Sequence, residues 1–488
     1  MLSEASIRKD TMGAEIVKPH YDKQDFSKFF NQLKKETLLL KQCCLDGRMS
    51  DEGYSLGVEL EGWLTDRNAR PMAMNQEILE HLNHPQVVPE LSQFNVEING
   101  SPMGVSPSVL NDLATDLKYL VKKTRTAAQR FDAELMMIGV LPTVTESMLN
   151  PNVMTPFERY KALNDYMSSV SKRKSHLHIT GDSDELRLDR GDIMMASATT
   201  SFQIQVKVPY SKIRRSYNAS KVLSPAVVAL SANAPYLFGR SLWDESRIPL
   251  FEHAVDSCPS QERYNGKFRA SFGTNYLNNC ISDYFVENLQ DYPILLPEPY
   301  DSMTAELKHL ALHNGTIWRW NRIVVGAEPC GQPHVRIEHR SPSSGPTVTD
   351  SMATMAFFVG CLIELSDQIT PIEDAIPFDL SRKNFYQCAR KGLDAELFWK
   401  GGKRLHCKDL IINELLPMAK LGLEKLNVDS SDIRHYLEDI ILPRVQTGQN
   451  GANWQKSYTK EHGRHFNEMS MAYLERQKTD EPVHTWNW

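Results

Sequence analysis

Four short stretches place polar residues two positions apart inside an apolar alternation: Glu59/Glu61, Glu97/Asn99, Gln203/Gln205 and Glu338/Arg340. Strand side chains alternate between faces, so each pair points one way while its apolar neighbours point the other. Glu59 and Glu61 would stand roughly 6.5–7 Å apart along such a strand. Two carboxylates at that spacing either raise a pKa or take cations between them. One isolated pair is more often the wet face of an amphipathic strand. Four pairs on four strands of a single curved sheet would instead line one cavity. Hard oxygen donors of this kind suit Mg²⁺, which takes carboxylates, waters and substrate phosphates. They do not suit zinc, because no cysteine–histidine cluster has zinc spacing. Arg340 and Arg247 add planar bidentate charge for a phosphate or a substrate carboxylate.

The rest of the chain narrows the chemistry. It has 488 residues with Lys+Arg 55 against Asp+Glu 61, a net charge of −6. This lacks the basic excess of a nucleic-acid binder. There is no GxxxxGK[ST], no GxGxxG leading into a helix, no GxSxG and no HExxH. Any nucleotide phosphates would be held by metal and arginine rather than by a glycine-rich loop. Eight scattered cysteines without CxxC do not make a disulfide scaffold, which suits a reducing compartment. No signal pattern opens the chain, and the apolar Met352–Leu365 stretch reads as too short to cross a bilayer. The expectation is a cytoplasmic protein without membrane or nucleic-acid partners, and with room for a homo-oligomer.

The elements that would carry the pairs follow from periodicity. Leu56–Leu64 is predicted as a strand, and Phe94, Val96 and Ile98 as the core face of another. Ser106–Pro107 is predicted to start a helix striped by Leu110, Leu113, Leu117 and Leu120. Leu135–Leu141 reads as a buried strand, and Thr199–Val208 and His334–Arg340 as alternating strands. Helices are expected at Phe26–Leu40, Val222–Ser231 and Asp350–Gln368, with a helical pattern from Asn384 onward. The basic run Lys172–Lys174 reads as a solvated face. No linker is evident; the divisions expected are an N-terminal extension (1–50), a catalytic unit (51–375) and a helical region packed on it (376–488). The fold class is α+β, with a curved, mainly antiparallel sheet and helices outside it.

At this point the chain resembles the glutamate–cysteine ligase and carboxylate–amine ligase superfamily, whose fold is glutamine synthetase-like. Gly57-Val58-Glu59-Leu60-Glu61 is similar to the family's opening GxExE strand, and Glu90 and Glu97 to an acidic pair seven apart. Thr200–Val206 is similar to a strand carrying a metal- or nucleotide-site pair. Leu230–Pro235 with Arg247 is similar to a glutamate-binding loop. Arg336–Arg340 with Gly345-Pro346 is similar to the last metal glutamate and a phosphate arginine. Asn384 and Ala389–Ala395 resemble the C-terminal part of the carboxylate–amine ligases. The matches run from about residue 55 to about residue 455. Many bacterial members have histidine where Gln203 stands; Gln203/Gln205 is closer to the plant-type ligases, and glutamine can coordinate or hydrogen-bond but not act as an acid or base.

The resemblance implies an ATP-dependent ligase joining the γ-carboxylate of glutamate to an amine, cysteine first, through an acyl phosphate. It implies Glu59, Glu61, Glu90, Glu97 and Glu338 as ligands of two or three Mg²⁺ ions, with Glu61, Glu338 and Arg340 at the chemistry. Gln203, Gln205 and Arg340 would hold ATP. Arg247, Arg240, Asn233, Trp318 and Arg322 would hold the substrates. The alternatives are another amine or carboxylate, a guanidino-kinase-like phosphotransferase, or a non-catalytic nucleotide-binding regulator.

Overall fold

In the computed structural model, the residues described are Ile16, 20–170, 175–255 and 268–488. Lys172–Lys174 and Cys258 lie outside them. The organising element is β1 (Ser55–Thr65), an 11-residue strand at the centre of an eight-stranded sheet. Its antiparallel partners are β3 (Asn95–Asn99), β4 (Met103–Gly104), β5 (Glu134–Met136) and β8 (Phe202–Val208), while β2 (Val87–Pro89) pairs with β3. A hairpin of β6 (Ser175–Thr180) and β7 (Glu185–Arg190) stands apart, as do β9 (Tyr236–Leu237) and β10 (Arg240–Ser241). The far side of the sheet is β11 (Asn321–Ala327) paired with β12 (Pro333–His339), and β12 pairs with β8. Beyond them, β13 (Glu396–Phe398) and β14 (Arg404–His406) form a small ladder of their own. The large sheet is curled and antiparallel, and the α+β class expected from the sequence is correct.

Register sorts the two faces. Leu56, Val58 and Leu60 of β1 point to the core with Val96 and Ile98 of β3, Ile204 and Val206 of β8, and Val335 and Ile337 of β12. Three helices, Val109–Gln129, Ile213–Ser231 and Val348–Asp367, bury that face. At about 25 cal/mol per Å² of apolar surface, covering one side of so large a sheet is the main stabilising term. The same cluster takes Phe29, Leu33 and Leu40 from the Lys23–Leu45 helix and Leu410, Leu423 and Ile440 from the C-terminal helices.

Several expectations are corrected. Leu135–Leu141 is a strand only through Met136. At Met137 the C-terminal helix takes over as backbone partner. Gln477 accepts from the Met137 amide at 3.0 Å and donates to its carbonyl at 2.7 Å, and the Tyr473 hydroxyl donates to that carbonyl at 3.0 Å. The helix predicted from Ser106–Pro107 begins at Val109, because the Ser106 carbonyl closes a turn onto the Val109 amide and the Pro107 carbonyl accepts from Asp429. Phe94 lies before β3 rather than in it, and stacks on Trp63 at 5.3 Å in a second apolar cluster. Cys330 is exposed, and Cys44 and Cys280 are half-buried. The apolar Val348–Asp367 helix has 20 residues, long enough to span a bilayer, so length was the wrong criterion. What distinguishes it is that 94% of its apolar window is buried inside the protein.

This central helix is covered by Leu416–Lys425 at a crossing made of glycines. A Cβ at Gly360 would strike the Ala419 carbonyl, and one at Gly422 the Gly360 carbonyl. Neither carbonyl belongs to a flexible side chain, so the helices would have to part. Gly422→Val is expected to destabilise the protein by about 1–3 kcal/mol, read as a lower midpoint in urea with an unchanged slope. A midpoint equal to that of the parent would show that the helices do not cross here.

Candidate active site

The opposite, concave face of the sheet carries the polar pairs. Glu59 lies opposite Gln203 and Asn99 across the two ladders, Glu61 opposite Glu97, Glu338 opposite Gln205, and Arg322 opposite Glu338. Strands β1, β3, β8, β11 and β12 therefore aim one wall of side chains at one space. Glu90 enters from just beyond β2, where its amide donates to the Asn95 carbonyl.

Two carboxylate groupings result. In the first, an oxygen from each of Glu61, Glu90 and Glu97 lies within 4.8 Å of the others. Glu61 is oriented by the Ser201 amide at 2.7 Å, the Ser201 hydroxyl at 2.9 Å and the Gln203 amide at 3.1 Å. Asn99 donates to Glu97 at 2.9 Å. In the second, the Gln205 amide bridges Glu59 and Glu338 with bonds of 3.0 Å to each. Glu338 is fully buried and ion-paired to Arg322 and Arg340, both at 2.7 Å. The Gln203 and Gln205 side-chain oxygens are also used: they accept from Arg340 at 2.7 Å and Arg336 at 2.9 Å.

Electrostatics set Glu338 apart from the other four carboxylates. Burial, reinforced by the charges of Glu97 and Glu338, pushes Glu59 up to about 8. Burial and the neighbouring Glu61 push Glu90 up to about 7. Glu97 is raised well above the carboxylate range by burial, Glu90 and Glu61. Glu61 is raised by burial, against the opposing pull of Arg340 and Ser201. For Glu338 burial also works upward, but Arg322 and Arg340 outweigh it and hold the carboxyl below its ordinary value. Glu59, Glu90 and Glu97 are thus acids raised by burial and by one another's charge, while Glu338 is the acid its two arginines keep ionised.

Arg247 opens the Arg247–Ala254 helix, 2% exposed. Its Nε donates to Glu245 at 3.1 Å, its Nη2 to the Ser341 carbonyl, and its guanidinium lies 5.4 Å from the Trp320 ring centre. It feels the charges of Glu61 and Arg340. Three expected substrate residues lie differently. Asn233 is fully buried, donating to the Ser344 carbonyl and the Tyr473 hydroxyl, both at 2.8 Å, and accepting from Gln455; its amide braces the fold. Arg240 is exposed in the β9–β10 ladder near Asp184. Trp318 packs edge-on against Phe251. Among the described residues, no hydrogen bond or ion pair ties these three to Glu59, Glu61, Glu90, Glu97 or Glu338.

Sequence reasoning passed over Arg336, Ser201 and Arg159 as site residues. Arg336 lies in the same alternation as Glu338 and Arg340, so its signal was present. Ser201 sits beside the Gln203 strand pattern. Arg159, whose charge acts on Glu90, comes from the Glu158–Val170 helix, with no spacing that marks it.

A curled antiparallel sheet presenting carboxylates and arginines on its concave face is the framework of a carboxylate–amine ligase of the glutamine synthetase-like fold. The chain belongs to glutamate–cysteine ligase family 2, whose profile matches residues 55–479, and it is an ATP-dependent ligase. Over 90% of this chain and 90% of the other, the structure is similar to the glutamate–cysteine ligase of Francisella tularensis solved in complex with AMP, with a TM-score of 0.52 and 11% identity. It is also similar to a bifunctional glutathione synthetase from Pasteurella multocida, at 10% identity and a TM-score of 0.49. That match covers 91% of this chain and 54% of the other. At 11% identity the first of these likenesses speaks to the fold alone. No curated protein matches the sequence.

The Arg322–Glu338–Arg340 group gives a stability test. Arg322 is 1% exposed, so removing it leaves the buried Glu338 carboxylate with one arginine. Arg322→Leu is expected to cost about 3–5 kcal/mol, as when one partner of a buried pair is lost. The double variant Arg322→Leu/Glu338→Leu should recover part of it. A double variant no more stable than the single one would count against the pairing.

Proposed function

We propose that the enzyme joins the γ-carboxylate of glutamate to the amine of cysteine through an acyl phosphate. The observation that carries the reading is the convergence of Glu61, Glu90 and Glu97 oxygens beside an arginine aligned by Glu338, in a chain of this ligase family. The γ-carboxylate oxygen attacks the terminal phosphorus of ATP and ADP leaves. The amine nitrogen then attacks the acyl carbon, phosphate leaves with the oxygen it received, and the nitrogen gives up a proton. Phosphoryl transfer needs positioning and charge neutralisation more than covalent help from the protein.

The donor set fits Mg²⁺: the Glu61–Glu90–Glu97 group offers only carboxylate oxygens, raised in pKa by burial and by their mutual repulsion. Glu61, Glu90 and Glu97 would hold one ion; Glu59 and Glu338, bridged by Gln205, would hold a second. When bound, Mg²⁺ neutralises phosphate charge and orients the terminal phosphate. Arg340, aligned by Glu338 and Gln203, takes phosphate oxygens. Arg247, fixed by Glu245 and the Ser341 carbonyl, pairs with the α-carboxylate of glutamate. Ser201 and Gln203 keep Glu61 turned toward the cavity.

Purified protein with ATP, Mg²⁺ and glutamate is expected to release phosphate when cysteine is added and to form γ-glutamylcysteine, detected by mass spectrometry. Glu61→Gln should lower that rate by at least about a hundredfold, the loss of several kcal/mol of charge stabilisation. An amide formed with another amine but not with cysteine would move the acceptor. Phosphate release without any amide, across a panel of amines, would sink the ligase reading.

A pH dependence follows from the same carboxylates. Glu59 and Glu90 are protonated below about 8 and about 7. A cation must displace those protons, so binding releases protons and tightens as pH rises. The rise in Tm caused by Mg²⁺ is expected to grow from about pH 6 to about pH 8.5. Glu90→Gln should flatten the trend. An Mg²⁺ effect equal at both ends of that range would place the ion elsewhere.

A further inference from the structure

Behind the sheet, away from the carboxylate wall, a cavity of about 160 Å³ opens between the Ile213–Ser231 helix, the loop at 273–278 and the Ile281–Asp291 helix. Its charges are ordered by depth. Arg319 lines it at 2% exposure, with its guanidinium over the Tyr284 ring at 4.2 Å. Arg319 gives Nη2 to Glu287 at 2.8 Å, while its buried Nε has no hydrogen-bond partner. Lys221 lies beneath, fully buried, its Nζ donating to the Phe272 carbonyl at 2.6 Å. Gly273, on the cavity wall, separates them by backbone alone: a Cβ there would stand 2.8 Å from the Lys221 Nζ. Burial and the Arg319 charge pull Lys221 down to about 7. Among the described residues Glu287 is the carboxylate acting on both cations. Arg319 is a buried cation set against one half-buried acid, an arrangement that a second anion would complete.

The mouth has the opposite sign. Asp283 is exposed there beside Glu287, and Tyr217 and Tyr276 form apolar walls. The loop is held in place: Asn218 bonds the Leu277 amide at 2.7 Å and carbonyl at 3.0 Å, Thr274 bonds Glu287 at 2.9 Å, and Tyr276 reaches the Ile376 carbonyl at 2.9 Å. Cations at depth, carboxylates at the rim and apolar walls between match a zwitterion with its carboxylate inward and its ammonium outward. We propose that this cavity is a second binding site for a free α-amino acid, distinct from the ligase site.

The segment that carries Arg319 also reaches the ligase site. The Trp320 carbonyl accepts from the Arg340 amide at 2.9 Å, the Trp320 ring lies under Arg247, and Arg322 pairs with Glu338. An occupant that shifts Arg319 would therefore act on the arginines of the proposed chemistry. That coupling rests on the ligase reading; the binding does not.

The test titrates the full chain, without ATP, with each common l-amino acid and with amine-free carboxylates of matched length, by calorimetry. At least one amino acid is expected to bind the parent and to lose at least about fivefold in affinity (~1 kcal/mol) in both Asp283→Asn and Asn278→Trp. Both are exposed rim positions remote from the carboxylate wall, so both variants should keep the parent's ATP affinity and Tm. If no amino acid binds with a dependence on both positions, the site does not exist. If an amine-free carboxylate binds as tightly as its amino acid, the zwitterion reading is wrong. Because no turnover is needed, a protein that forms no amide with any amine leaves this result intact.

Discussion

Like charges crowded together are the constraint on which this molecule turns. Glu59, Glu61, Glu97 and Glu338 share one sheet face because the strand registers put them there, and Glu90 joins them from just beyond β2. The fold resolves the repulsion in two ways. Glu338 is neutralised by Arg322 and Arg340 and stays ionised. Glu59, Glu90 and Glu97 are left short of positive charge, and their proton affinities rise. A protein selected only for stability would replace such a wall with apolar side chains. Its retention is intelligible if substrates and ions supply the missing charge during turnover.

The glutamines mediate between the two solutions. Gln203 and Gln205 each offer an amide donor to a carboxylate and a carbonyl acceptor to an arginine. A glutamine joins acid to base without changing its own charge, so the arrangement can stay the same whether or not the acids are protonated. The role expected of these residues, direct contact with nucleotide or metal, is thereby complemented by an orienting one.

What could be read in advance was whatever repeats with period two. Glu59, Glu61, Glu97, Gln203, Gln205, Glu338 and Arg340 stand out because a strand with one buried face imposes alternation, and the same rule covers Arg336 had it been followed one pair further. Residues whose placement depends on long-range docking were not legible. Asn233 sits in a segment resembling a binding loop, yet its amide is consumed by Ser344, Tyr473 and Gln455, the last two more than 200 positions away. The Leu135–Leu141 run is apolar enough for a strand, but hydropathy does not reveal that Gln477 takes the place of a neighbouring strand. Arg240 and Trp318 look chemically apt, and only the chain path shows them turned to other neighbours.

The bond between Gln477 and the Met137 backbone has a further meaning for how the protein comes into being. A chain emerging from the ribosome exposes β1, β3 and β8, with every acidic ligand but Glu338, long before Gln477 exists. Met137 follows directly on β5, which is laddered to β1, and Tyr473 and Gln477 hold it from the last long helix. The anchor of the segment after β5 is thus supplied by residues made more than 300 positions later.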